Sequence, residues 1–121
     1  MNILILEDNQ DRIDFFKRVY KNHTLYITSD IYLAHDYMHE KEFDILFLDH
    51  DLEPDNFTAL KQGRTGYDFC KSLVEDKLQR HALIYVHSCN PVGGQVMVNI
   101  LQDNGYEAIW IPFHLLKLED R

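Results

Sequence analysis

Four short apolar runs constrain the fold of this chain more than anything else in it: Ile3–Leu6, Ile45–Leu48, Leu83–Val86 and Ala108–Ile111. None alternates apolar with polar residues. A strand with one wet face would alternate, so unbroken runs of this length fit strands buried on both faces, as in a parallel sheet. A weaker run, Leu25–Ile27, supplies a fifth strand. Helical spacing fills the gaps. Ile13, Phe16 and Val19 or Tyr20 follow Asn9, and Ile31, Ala34 and Met38 follow a cap at Ser29 or Asp30. Phe69, Leu73 and Val74 follow Gly66. Met97, Ile100 and Leu101 follow Asn90-Pro91, a cap residue with proline at the first helical position, and Gly105 closes that helix.

Five strands alternating with four helices predict a doubly wound α/β domain with strand order 2-1-3-4-5. At 121 residues, one domain over 1–121 is expected. Ligands of such folds bind beyond the carboxyl ends of the strands, where the strand order reverses between strands 1 and 3. Strand 1 ends in Glu7-Asp8, strand 3 in Asp49-His50-Asp51 and strand 4 in His87-Ser88. Carboxylates and imidazoles therefore gather at the edge where the fold places chemistry. Several carboxylates in one crevice repel one another, so either some are protonated or a cation sits among them. Asp8, Asp49 and Asp51, with Glu7 beside them, suit Mg²⁺; histidine would also accommodate Mn²⁺, Fe²⁺ or Zn²⁺. Capping of the first helix is the plainer role for Glu7 or Asp8.

The net charge of −8 disfavours a grip on extended nucleic acid through many phosphates, and leaves open a small phosphorylated ligand or a single nucleic-acid end. No apolar run is long enough to cross a membrane or to serve as a signal-peptide core. The two cysteines, Cys70 and Cys89, have neither zinc spacing nor a disulfide framework, which suits a reducing cytoplasm.

The paired acids after strand 1 and the aspartate ending strand 3 make the chain resemble a response-regulator receiver domain, with a flavodoxin/receiver-like sheet. Asp49 would match the phosphorylated aspartate of that family. Two positions depart from it: Ile111 precedes Pro112 where a receiver carries lysine, and strand 4 runs into His87-Ser88-Cys89-Asn90-Pro91-Val92-Gly93. Together with Asp49-His50-Asp51-Leu52 and Pro112-Phe113, that segment resembles a narrower group, the cyclic-phosphate processing receiver-like domains. The resemblance covers nearly the whole chain. It implies a phosphoesterase-like activity on a cyclic phosphate, at an RNA end or on a nucleotide signal.

The same residues read directly as a phosphate site. The helix beginning at Asn90-Pro91 points amides outward, with Ser88 before it, and a helix start is a ready anion site. Gly93 and Gly94 would let a phosphate approach the backbone, or simply allow tight helix packing. His50 and His87 are candidates for proton transfer alongside Asp49, since imidazole both takes and gives a proton near neutrality; metal ligation is the other role open to them. The long stretch from Leu52 to Gly66 carries Lys61 and Arg64; Arg64 could grip phosphate in a bidentate way or be a solvated loop charge, and Phe57 could cover a base or simply pin the loop. His23, His35, His39, His81 and His114 read as surface or packing residues, His114 being nearest the candidate edge. The expected function is a metal-assisted phosphoesterase acting on a cyclic phosphate, with Mg²⁺ or Mn²⁺ as cofactor. The rivals are a module that sequesters a nucleotide without turnover, and a signalling receiver phosphorylated on Asp49.

Overall fold

The computed structural model describes residues 1–52 and 65–116. Within them, β1 (Asn2–Leu6), β2 (Thr24–Thr28), β3 (Ile45–Leu48), β4 (Leu83–Val86) and β5 (Glu107–Trp110) form one sheet of order β2-β1-β3-β4-β5. Every pairing is parallel. The helices are α1 (Gln10–Val19), α2 (Ile31–Glu40), α3 (Gly66–Asp76) and α4 (Pro91–Asp103). This is the receiver-like topology that the alternating runs predict.

Both faces of the sheet are covered, which is why its strands do not alternate. Leu4, Leu6, Leu46, Leu48, Ile84 and Val86 point into a core closed by α2, α3 and α4. Ile3, Ile5, Ile45 and Phe47 point the other way, onto Phe16 and Tyr20 of α1 and onto Leu116. The odd and even positions of each run thus feed different cores, as the two-residue period of a strand requires.

Helix starts are set by side chains that accept the orphan amides of the first turn. Asn9 Oδ1 accepts from Arg12 N at 3.1 Å and Asp30 Oδ1 from Tyr32 N at 2.8 Å. Asn90 Oδ1 accepts from Gly93 N at 3.1 Å. At α3 the Asp68 carboxylate reaches back to Thr65 N at 2.8 Å. After α4, Gly105 takes φ +85°, a backbone conformation that a side chain disfavours. The fifth strand lies one residue earlier than its apolar run predicts. Ile111 N still donates to Val86 O at 2.9 Å, but Pro112 has no N–H with which to continue the ladder. The chain then forms a short 3₁₀ turn, Phe113–Leu115, that brings Leu116 onto the α1 face. No helix among the described residues is long and apolar enough to cross a membrane.

The edge of the sheet away from the candidate site is tied by two side chains. Gln79 accepts from Phe43 N at 2.9 Å and donates to Met38 O at 2.9 Å and Lys41 O at 2.6 Å, joining the turns before β3 and β4. The Tyr106 hydroxyl lies 2.9 Å from Leu73 O and 2.6 Å from Leu78 O, at the end of α3. Tyr106→Phe removes that donor from two carbonyls. Its expected cost is about 1–2 kcal/mol, read as a lower urea midpoint at unchanged slope; an unchanged midpoint would show that water replaces the hydroxyl.

Candidate functional site

Leu6, Leu48 and Val86 are register partners on β1, β3 and β4. The next residue on each strand is Glu7, Asp49 and His87, so these three form a single row at the carboxyl edge. The ladder holds through that row: Asp49 N donates to Leu6 O at 3.1 Å and His87 N to Leu48 O at 3.0 Å. Alternation sends the row to the α1 face, where Ile5, Phe47 and Tyr85 also point. His50 is one residue further on and goes to the opposite face, its ring against Gly93 of α4. The two candidate histidines therefore do not share one surface of the sheet.

Glu7, Asp49 and His87 are all buried. Glu7 Oε1 accepts from His87 Nε2 at 2.8 Å and faces Arg12 Nη1 at 3.5 Å. Glu7 Oε2 accepts from the backbone N–H groups of Asp8 and Asn9 at 2.9 and 3.1 Å. The carboxylate thus meets four donors, its full acceptor capacity. His87 sits in an aromatic cage, with ring centroids 5.4 Å from Phe16, 6.5 Å from Phe47 and 6.2 Å from Phe113. Its Nδ1 is buried with no hydrogen-bond partner among the described residues.

Arg12, in the first turn of α1, brings a cation to the site. Its guanidinium lies 3.8 Å from Asp49 Oδ2 and 5.0 Å from the centre of the Phe113 ring, and Nη2 donates to Cys89 Sγ at 3.5 Å. Sequence reasoning passed over this residue. A signal was there: a cation near a helix N-terminus opposes the helix dipole, so Arg12 needs an acidic partner, and Glu7-Asp8 stands just before it.

The environments of the two carboxyls push them apart. Burial works to raise the Glu7 pKa, but hydrogen bonding and charge from His87 and the two backbone amides outweigh it and bring it down to about 2. Asp49 is raised to about 7, first by burial and then by the Glu7 charge; His50 N, donating to its Oδ1 at 2.8 Å, and Arg12 oppose this only in part. Burial also lowers the His87 pKa. Near neutrality the row holds an ionised Glu7, a neutral His87 that supports it as a donor, and an Asp49 that readily carries a proton.

Glu7, Asp49 and His87 each offer a ligand atom within 4.8 Å of the others, a spacing compatible with metal coordination. Within the row Glu7 accepts from His87 and from two backbone amides, and Arg12 brings a positive charge within 3.8 Å of Asp49 Oδ2. Asp8 is half-buried, while exposed Asp51 faces His50 Nδ1 at 2.9 Å and Asn90 Nδ2 at 3.5 Å.

The candidate phosphate residues lie on the α4 side. Ser88 is buried, and its Oγ accepts from Asn90 N at 3.1 Å. The space over the glycines is taken by side chains. A Cβ at Gly93 would come within 2.5 Å of the His50 ring, and one at Gly94 within 2.6 Å of Trp110 Nε1, which donates to Ser88 O at 2.8 Å. Gly66 is equally constrained, for its Cβ would meet Asp49 O. Arg64, with Lys61 and Phe57, lies outside the described residues. His114 Nδ1 stands 3.8 Å from Cys89 Sγ on the rim.

Comparison with known proteins places this geometry in a family. The sequence pattern of the cyclic-phosphate processing receiver domain matches residues 2–103, and the chain belongs to that family. Similar solved structures are receiver domains and a sensor protein. The signal receiver domain of a Vibrio parahaemolyticus protein described as a Luxo repressor is 15% identical, with a TM-score of 0.67 over 92% of this chain and 76% of that one. Vibrio cholerae chemotaxis protein CheY4 is 15% identical, with a TM-score of 0.63 over 92% and 84%. A sensor protein from Polaromonas sp. JS666 is 20% identical, with a TM-score of 0.68 over 92% and 82%. No curated protein matches the chain.

The raised Asp49 pKa has a sign that can be measured. Between its ordinary value of 3.8 and about 7, the folded protein holds a proton that the unfolded chain has lost. Stability from this group therefore falls as pH rises through that window. Relative to Asp49→Asn, the wild type should lose on the order of 3–4 kcal/mol between pH 4 and 7, with little further change above. Glu7 acts in the opposite sense: its contribution is present above 4.5 and is lost as pH falls toward about 2. Urea titrations of both proteins across pH 4–8 check this, and a constant gap would refute the Asp49 assignment.

Proposed function

We propose that this chain is a phosphoesterase that opens a cyclic phosphodiester on a nucleotide or an RNA end. The observation that carries the reading is Asp49: a buried carboxyl at the end of the middle strand, raised to about 7 and facing Arg12 at 3.8 Å. Ring opening adds water across a P–O bond, so one oxygen loses a proton and the leaving oxygen gains one. A group poised near the working pH serves such transfers best, and paired carboxyls with divergent environments mark the acid and base assignments. The family's cyclic-phosphate description supports the substrate class.

In this reading Asp49 handles one proton transfer. His50, held at Nδ1 by Asp51, handles the other from the rim. Arg12 faces the charge that develops on the phosphoryl oxygens; its planar fork matches two of them, and Phe113 beneath it restricts its motion. Glu7 and His87 are positioning residues that keep the cluster anionic at one point and neutral beside it. Ser88, Asn90 and the start of α4, with Arg64, are the candidate phosphate contacts. The net charge of −8 favours a small ligand or a chain end over an extended polymer.

The test is multiple turnover of a panel of 2′,3′-cyclic ends and cyclic dinucleotides, in chelator and in Mg²⁺ or Mn²⁺. Turnover is expected in chelator, and Asp49→Asn should lower kcat by about 10²–10⁴-fold. Turnover only with metal would move the charge-balancing role to an ion on Asp8, Asp49 and Asp51. Binding without turnover would make the chain a nucleotide-sequestering module. Stable labelling of Asp49 by a small phosphodonor would make it a signalling receiver.

A further inference from the structure

Two histidines that read as surface or packing residues in the sequence converge on one carboxylate, well away from the strand ends. His35 and His39 are four apart on α2 and so share a helix face. Asp76 is the last residue of α3. Its Oδ2 lies 3.0 Å from His35 Nε2 and 3.2 Å from His39 Nε2. The two rings are nearly perpendicular, at 89°, with centroids 4.6 Å apart. All three side chains remain open to water, at 28, 48 and 43% exposure.

We infer that His35, His39 and Asp76 form a surface site for a borderline transition-metal cation, Zn²⁺ first, that clasps α2 to α3. Bonds of 2.0–2.1 Å in a tetrahedral shell set neighbouring ligand atoms roughly 3.3 Å apart, so the observed separations of 3.0 and 3.2 Å need little adjustment. Two imidazoles select for Zn²⁺, Co²⁺, Ni²⁺ or Cu²⁺ over Mg²⁺ and Ca²⁺. Four-residue spacing on a formed helix holds both nitrogens in place before the ion arrives. Three protein ligands leave the fourth position to water.

The helices return antiparallel to the strands. The C-terminal ends of α2 and α3 therefore lie at the sheet edge opposite Asp49. The cluster stands apart from the proposed phosphoesterase chemistry and does not depend on it. Without metal, two imidazoles share one exposed oxygen, an arrangement of little worth to stability. With metal, the same groups join two helices that are otherwise linked at this level by packing and the Gln79 contacts.

The experiment is calorimetry of the metal-stripped full chain with ZnCl₂, alongside thermal unfolding with and without the ion. One site is expected, with a higher Tm in Zn²⁺ because the ion binds the folded state. His35→Gln, His39→Gln and Asp76→Asn should each weaken Zn²⁺ at least tenfold and abolish the Tm rise. Asp49→Asn and Cys89→Ser should leave both intact, which separates this site from the strand-end cluster and from the exposed thiol. Co²⁺ substitution should give the visible spectrum of a tetrahedral site, lost in His39→Gln. The variants change exposed side chains, and their metal-free Tm checks that they fold. Undiminished Zn²⁺ affinity in His39→Gln and Asp76→Asn, or no Zn²⁺ binding by the wild type, would overturn the inference.

Discussion

The hydrogen bond between Glu7 and His87 spans three strands and sets the chemistry of the whole edge. It joins the end of β1 to the end of β4, passing over β3, so Asp49 lies between its partners. A fully buried carboxylate is costly unless its charge is met by donors. Glu7 meets that requirement with His87, Arg12 and two backbone amides. Burial first, and then the Glu7 charge alongside, make Asp49 retain its proton to higher pH. Arg12 is then held near both carboxyls over the Phe113 ring.

This arrangement separates the chain from the receivers whose fold it shares. In the receiver pattern a lysine at the end of the fifth strand supplies the cation; here Ile111 occupies that place. The positive charge comes from the first helix instead, and the residues after β5 become its seat. Pro112 ends the ladder, and Phe113 turns under the guanidinium. The Pro112-Phe113 pair, without an evident role in sequence, thereby gains a physical one. The likeness to receiver structures, at 15–20% identity, concerns the fold of the sheet and helices.

The glycines of α4 illustrate how a site can depend on residues with no side chain. Gly93 and Gly94 are buried and face His50 and Trp110 at distances that exclude a methyl group. Trp110 in turn fixes Ser88 O, and Ser88 fixes Asn90 N. The start of α4 is thus packed against the ends of β3, β4 and β5 together. Two helix-weakening residues in one turn are tolerated because close packing of the strand-end side chains requires them.

The topology was legible in the amino-acid order because buried parallel strands leave unbroken apolar runs, and helices leave a 3.6-residue period. The cap at Asn90 was legible, and that of α2 to within Ser29 or Asp30, because such interactions span three residues or fewer; the first helix is capped by Asn9, not by Glu7 or Asp8. The list of strand-end residues followed from topology alone. Which of them would meet did not. Register fixes whether a residue one step further along a strand points to the same face or the other, and only the paired strands place Glu7, Asp49 and His87 in one row and turn His50 away. Arg12 was missed because its partners are an acid five residues earlier and an aspartate on another strand. The convergence of His35 and His39 on Asp76 needed the packing of α2 against α3. Local periodicity records which face of an element is apolar, whereas contacts between polar groups on different elements exist only once the elements are docked.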